Sequence, residues 1–106
     1  MSNIDYAIAQ MTDAILNSEE YLAYQEELTR VKQYPELKIQ LDEYRKHRFL
    51  LQNSDDYAFD KLEKFEGEFK EFRENPLVES FLTAELAFCR MMQDIDTRIT
   101  EALHFE

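Results

Sequence analysis

The chain has 106 residues, and its 23 acidic and 12 basic side chains give it a formal net charge of -11. A negative charge of this size repels phosphate backbones, so direct binding of nucleic acid is not expected. One glycine and two prolines give little support to strand-rich folds, which depend on such residues in their tight turns. The composition therefore predicts a single all-α domain over residues 1–106.

Cysteine content and hydropathy favour a cytoplasmic protein. Cys89 is the one cysteine, so no disulfide can form within the chain. The first residues include Asp5 and lack the basic cluster and the long apolar core of a secretion signal. No apolar run approaches the roughly 18 residues that a membrane-spanning helix needs. We therefore predict a cytoplasmic location and no membrane span.

Two amphipathic helices are predicted in the first third of the chain, where apolar residues recur at steps of three and four. The first helix is predicted from about Asp5 to Asn17. Ser18 can cap the second helix, because its hydroxyl can accept a hydrogen bond from a free backbone amide. The apolar stripes are Ile4, Ile8, Met11 and Ile15 on the first helix and Tyr21, Tyr24, Leu28 and Val31 on the second.

The third predicted segment follows Pro35, which either begins a new helix or kinks a longer one. Residues 53–56 are the best loop candidate, and we expect the chain to reverse there. The basic stretch 45–48 is flanked by acidic residues, a pattern typical of a solvated helix face. The stripe of this segment is Leu37, Leu41, Tyr44, Arg48 and Leu51.

The fourth and fifth predicted segments complete a bundle of about five helical segments. The fourth is one amphipathic helix, in which the pattern gives no reason for the presence of Gly67. Asn75 caps the fifth, which runs from about Pro76 to Leu103 and is roughly 40 Å long at 1.5 Å per residue. The apolar face of the fourth segment is Ala58, Leu62, Phe65, Phe69 and Phe72.

A near-heptad apolar seam follows the last helix and is the predicted association surface. Glu85 falls inside this seam, where an unpaired carboxylate would be costly. It is expected either to meet an arginine, a lysine or a tyrosine hydroxyl from another helix or subunit, or to reach solvent at the edge of the stripe. The seam consists of Val78, Phe81, Glu85, Phe88, Met92, Ile95 and Ile99.

No catalytic, cofactor or metal site is predicted from the residue pattern. A di-iron site in a helical bundle needs two Glu-x-x-His pairs, and Glu101 with His104 forms the one pair present. Cys89, on the flank of the seam, is interpreted as a small buried apolar residue. A metal or cluster site remains an alternative if Glu101, His104 or Cys89 converge from several subunits.

Several short motifs, each weak alone, together resemble the YlbF/YmcA family, small bacterial proteins grouped under control of competence regulator. Their order and spacing agree over almost the whole chain. The matching residues are Ser18-Glu19-Glu20-Tyr21 with Tyr24, Pro35-Glu36, Leu41-Asp42-Glu43-Tyr44-Arg45, Asn75-Pro76-Leu77-Val78, Phe81-Leu82, Ala84-Glu85 and Asp94-Ile95.

The resemblance implies antiparallel, long and kinked helices that associate into dimers or higher oligomers, and no enzyme activity. Members of the family act as adaptor subunits with relatives and a third protein. They influence competence, sporulation and biofilm formation and adjust messenger RNA processing by an endoribonuclease. Others are self-associating paralogues without a settled function. Some members bind iron-sulfur clusters through cysteines, a property that Cys89 could share only as one ligand among several subunits.

Overall fold

Six α-helices make up the part of the chain that the structure, a computed structural model, describes. It covers the backbone of residues 2–52 and 59–104, and the side chains of all of these except 59–62. No strand occurs in these ranges, which confirms the all-α prediction. The predicted loop at 53–56, Ala58 and the side chain of Leu62 lie outside the described residues. The helices are α1 (Asn3–Leu16), α2 (Glu19–Lys32), α3 (Pro35–Gln52), α4 (Phe59–Glu68), α5 (Lys70–Glu74) and α6 (Pro76–Ala102).

Serine residues cap the first two helices. At the start of α1, the Asp5 amide donates to Ser2 Oγ at 3.1 Å, and the Ser2 amide donates to Asp5 Oδ2 at 3.3 Å. This reciprocal capping box satisfies two of the amides that an α-helix leaves without a partner. Ser18 Oγ accepts from the Tyr21 amide at 3.2 Å, which confirms the predicted start of α2.

Both prolines begin helices. Because α2 ends at Lys32 and α3 begins at Pro35, these are two separate helices and not one kinked helix. Pro76 is likewise the first residue of α6, and Asn75 Oδ1 accepts from the Leu77 amide at 3.0 Å. A proline fits the first turn of a helix because the amide hydrogen it lacks has no partner there.

The fourth predicted segment consists of two helices, so the prediction of one continuous helix was wrong. Phe69 separates α4 from α5 with φ -109° and ψ 15° and has no side-chain cap. Three phenylalanine rings pack around Tyr44 at this break. The centroid of the Tyr44 ring lies 5.4 Å from that of Phe65, 5.4 Å from that of Phe69 and 5.5 Å from that of Phe72. The helix is thus interrupted at Phe69 although the sequence keeps a helical periodicity there, and the interruption coincides with the packing of these rings.

Replacing Gly67 with alanine should stabilise the protein. A Cβ added there meets nothing within 4 Å, and glycine in a helix costs about 0.5–1 kcal/mol relative to alanine. We expect Gly67→Ala to raise the free energy of unfolding in urea by that amount. The exposed neighbour variant Glu66→Ala should change it by less than about 0.5 kcal/mol. A loss of stability in Gly67→Ala alone would mean that the α4–α5 break requires the glycine.

The core lies where α2 packs against the first half of α6. Tyr21 lies 5.5 Å from Phe88, whereas the later residue Tyr24 lies 5.6 Å from the earlier residue Phe81, both measured between ring centroids. The two helices are therefore antiparallel, as predicted. The buried core residues are Val31, Leu41, Tyr44, Phe72, Val78 and Phe81, and Tyr24, Leu28, Leu37, Phe65, Phe69 and Leu82 pack around them.

Part of the chain lies outside this core. The radius of gyration is 17.3 Å, compared with about 13 Å for a compact domain of 100 residues. Helix α1 makes its principal helix contact with α2 and contains no buried residue. The apolar stripe predicted on the first helix therefore forms but remains largely uncovered.

Candidate functional site

A partly buried ion-pair network joins Glu85 on α6 to two arginines on α3. Arg45 donates to Glu85 Oε2 from Nη2 at 2.8 Å and from Nε at 3.2 Å. Arg48 Nη1 donates to the other oxygen, Oε1, at 3.1 Å. Both carboxylate oxygens of Glu85 are therefore paired with charged donors. The pairing matters because Glu85 is only 9% exposed. Of the two alternatives expected for Glu85, the structure has the one in which it meets a basic side chain of another helix.

Tyr24 brings α2 into the same network. Arg45 Nη2 also donates to Tyr24 Oη at 3.2 Å, and its guanidinium carbon lies 5.0 Å from the centroid of the Phe81 ring. Burial acts to lower the pKa of Arg45, but hydrogen bonds from its guanidinium to Glu85 and Tyr24 outweigh burial, and the pKa is raised. Arg45 therefore stays charged and links α2, α3 and α6.

The basic stretch 45–48 does not form the solvated face that its charge pattern predicted. Arg45 and Arg48 turn toward Glu85, whereas Lys46 and His47 are exposed. The prediction was therefore wrong for the two arginines, which form an inward-facing pair three positions apart. Arg48 already fell within the apolar stripe of its segment, and this was the sequence signal for its inward position.

The predicted association seam divides into two halves. Its first half packs within the chain, because Val78 and Phe81 are buried, Glu85 is paired with α3, and Phe88 stacks on Tyr24 at 5.4 Å. Its second half extends past the start of α2. The residues of that half are Met92, Ile95 and Ile99.

Two uncovered apolar stripes result, one at each end of the chain. We define the α1 stripe as Ile4, Ile8, Met11 and Ile15, and the α6 stripe as Met92, Ile95, Ile99 and Leu103. On the α1 stripe, Ile4, Ile8 and Met11 are between 38% and 71% exposed. On the α6 stripe, Met92, Ile99 and Leu103 are between 39% and 67% exposed. Rows of exposed apolar side chains of this kind mark contact surfaces more often than single exposed residues do.

Cys89 is exposed, so its interpretation as a buried core residue was wrong. The prediction required other helices to cover α6 on both flanks of its seam. Instead, α2 packs along the seam itself, where Tyr24 contacts Phe81 and Phe88. Leu82, one heptad earlier on the same flank, still packs against the core, but at Cys89 the flank faces outward.

The exposure of Cys89 predicts fast thiol labelling. We expect an aromatic disulfide reagent to modify Cys89 in the native protein at a rate comparable with that in the urea-unfolded chain. A matched control is Val78→Cys in a Cys89→Ser background, because position 78 is 1% exposed and should react only on unfolding. Equal protection of the two thiols would contradict the outward orientation of Cys89.

The described residues contain no group of three His, Cys, Asp or Glu side chains placed to bind a metal ion. Glu101 and His104 lie exposed at the end of α6, where His104 has a positive φ of 52°. Two open surface depressions are lined by small sets of residues, Tyr6, Ala9, Gln10 and Asp13 in one and Tyr34, Pro35 and Glu36 in the other. Neither brings a nucleophile together with a base of the kind that acyl or phosphoryl transfer needs.

Among residues 2–52 and 59–104, no helix combines the length and the apolar character that crossing a membrane requires.

Comparison with known proteins assigns the chain to a family. A search of curated proteins found no match, and neither did a search of solved structures. The profile of one family, described as control of competence regulator ComK, YlbF/YmcA, matches residues 4–104, which include all seven residues of the predicted seam. The chain belongs to the YlbF/YmcA family of competence regulators.

Proposed function

We propose that this protein is a regulator that acts by binding other proteins through its uncovered helix faces and that it catalyses no reaction. Membership of a competence-regulator family supports a regulatory role. The observation that carries the proposal is the pair of uncovered apolar stripes on α1 and α6. A chain of this size has a small core, and covering these stripes would add substantially to the apolar surface removed from water.

Helix α1 gives the strongest physical reason to expect a partner. It has 14 residues and none of them is buried, whereas isolated helices of 12 to 15 residues are only marginally stable in water. The Ser2 capping box favours the helical start but contributes only on the order of 1 kcal/mol. Packing of the α1 stripe against another apolar surface would supply the stabilisation that the helix lacks.

The proposed partners follow from the family. They are a second copy of the chain, a family relative, and an adaptor or endoribonuclease complex. Through them the protein would influence competence, sporulation or biofilm formation and the processing of messenger RNA. Its net charge of -11 favours protein partners over direct contact with RNA.

A pull-down with matched variants tests this proposal. Tagged protein would be recovered from its own cell extract as the wild type, as Ile8→Asp and as Ile39→Asp, and retained proteins identified by mass spectrometry. Ile39 is a suitable control because it is 64% exposed but lies on α3, outside both stripes. We expect the wild type and Ile39→Asp to retain a relative, an adaptor or an endoribonuclease, and Ile8→Asp to lose it. Equal recovery with all three proteins would contradict a role for the α1 stripe.

A further inference from the structure

We infer that Arg45 and Arg48 together bind a carboxylate side chain, aspartate or glutamate, that a partner protein places on their solvent side. The partner belongs to the proposed function, on which this inference rests, but the contact is polar and lies apart from the α1 and α6 stripes. Within the chain, the two arginines share one carboxylate, that of Glu85. The pair therefore keeps an excess of one positive charge in a chain whose net charge is -11.

More than half of the guanidinium donors of the pair are unused within the chain. An arginine has five N–H donors in a planar fork. Arg45 uses three of them, two on Glu85 Oε2 and one on Tyr24 Oη, and Arg48 uses one, on Glu85 Oε1. Two N–H groups of Arg45 and four of Arg48 thus find no acceptor among the described residues. Because both side chains are about one-third exposed, a group that arrives from solvent can reach these donors.

Aromatic rings hold both guanidiniums in place. The guanidinium carbon of Arg45 lies 5.0 Å from the centroid of the Phe81 ring, and that of Arg48 lies 5.3 Å from the centroid of the Tyr44 ring. Side chains that are already fixed lose little conformational freedom on binding, so a ligand gains more affinity from each hydrogen bond. Since both guanidiniums contact the same carboxylate of the chain, a second carboxylate on their outer side can contact both.

The local charge favours a single carboxylate as the ligand. The acidic side chains that precede Arg45 on α3 are engaged elsewhere, because Asp42 pairs with Lys38 at 2.6 Å and Glu43 lies 3.6 Å from His47. Hydrogen bonds from arginine to a carboxylate are charge-assisted and frequently bidentate. A nucleic-acid backbone would bring many phosphates into the negative field of the chain, whereas one partner side chain brings one charge to the one excess cation.

An NMR titration of nitrogen-15-labelled protein tests the site. The probe is the α-amide of N-acetylglutamate, which presents one glutamate side chain, and the control compound is its glutamine counterpart at the same ionic strength. We expect the probe to shift the Nε–H signal of Arg48 saturably, while the signal of Arg90, which is exposed on α6, hardly moves. Arg48→Gln should weaken binding several-fold, read from the Arg45 signal. The control variant Lys46→Gln, at an exposed position of the same helix, should bind like the wild type.

Equal shifts of the Arg48 and Arg90 signals, or equal shifts with the glutamine compound, would overturn the site. Tighter binding of inorganic phosphate than of the glutamate probe would overturn its assignment to a carboxylate. In the pull-down described above, Arg48→Gln should lose a protein that Lys46→Gln retains. Identical sets would overturn the use of the site by a partner but leave the proposed function standing. A wild type that retains no protein would contradict the proposed function itself, and with it the partner assigned here.

Discussion

Phe81→Ala should lower the free energy of unfolding by about 3–5 kcal/mol, the usual cost of truncating a fully buried phenylalanine. Phe81 is 0% exposed and contacts both Tyr24 and the guanidinium of Arg45. Small domains are stable by about 5–15 kcal/mol, so this one change removes a large part of the total. Urea unfolding followed by the helical circular dichroism signal measures the loss.

Phe88→Ala is the matched control on the same helix. Phe88 is half-buried and packs on Tyr21 and Tyr24, so its truncation removes less buried surface and leaves a site that water can enter. We therefore expect a clearly smaller loss than for Phe81→Ala. Equal losses, or a loss below about 1 kcal/mol for Phe81→Ala, would contradict the assignment of the core to the first half of the α6 seam.

Glu85→Ala is expected to cost about 3 kcal/mol, the lower end of the range for removing one partner of a buried ion pair. The variant removes the carboxylate that both Arg45 and Arg48 contact. Their side chains are 30% and 33% exposed, so water can partly solvate them, which places the loss at the lower end. The same urea experiment measures it.

Replacing all three charged residues separates pairing from packing. In the variant Arg45→Met, Glu85→Leu and Arg48→Met, all three charges of the network are removed, and such replacements are often neutral or stabilising by about 1–4 kcal/mol. We expect this protein to be at least as stable as the wild type while Glu85→Ala is destabilised. A triple variant as unstable as Glu85→Ala would show that the cost comes from lost packing and not from unpaired charge.

Helix boundaries were the most predictable part of the fold, because they depend on local chemistry. The side-chain oxygens of Ser18 and Asn75 identified the starts of α2 and α6. The ring of Pro76 is compatible with the first turn of α6. Pro35 and Pro76 each left two possibilities open, since a proline is compatible with both a helix start and a kink. The break at Phe69 could not be read from the sequence, because the packing of Phe65, Phe69 and Phe72 around Tyr44 arises only in the folded chain.

The site was predictable in kind but not in detail. A carboxylate inside an apolar seam requires a partner, so the seam position of Glu85 indicated a basic or hydroxyl group, but tertiary structure decides that Arg45, Arg48 and Tyr24 supply it. The outward orientation of Cys89 was missed because periodicity gives the direction of a helix face and not which neighbours cover it. For the same reason the pattern could not tell the packed half of the seam from the uncovered half.

The measurement that most directly tests whether this protein works through its uncovered helix faces is its mass in solution by sedimentation equilibrium. We expect the 12.8 kDa chain to have twice that mass at micromolar concentration and to return to the monomer mass in the double variant Ile8→Asp with Ile99→Asp. Added salt should favour the dimer, because it screens the repulsion between two acidic copies. A monomer mass at every concentration and salt level would contradict self-association through the two stripes.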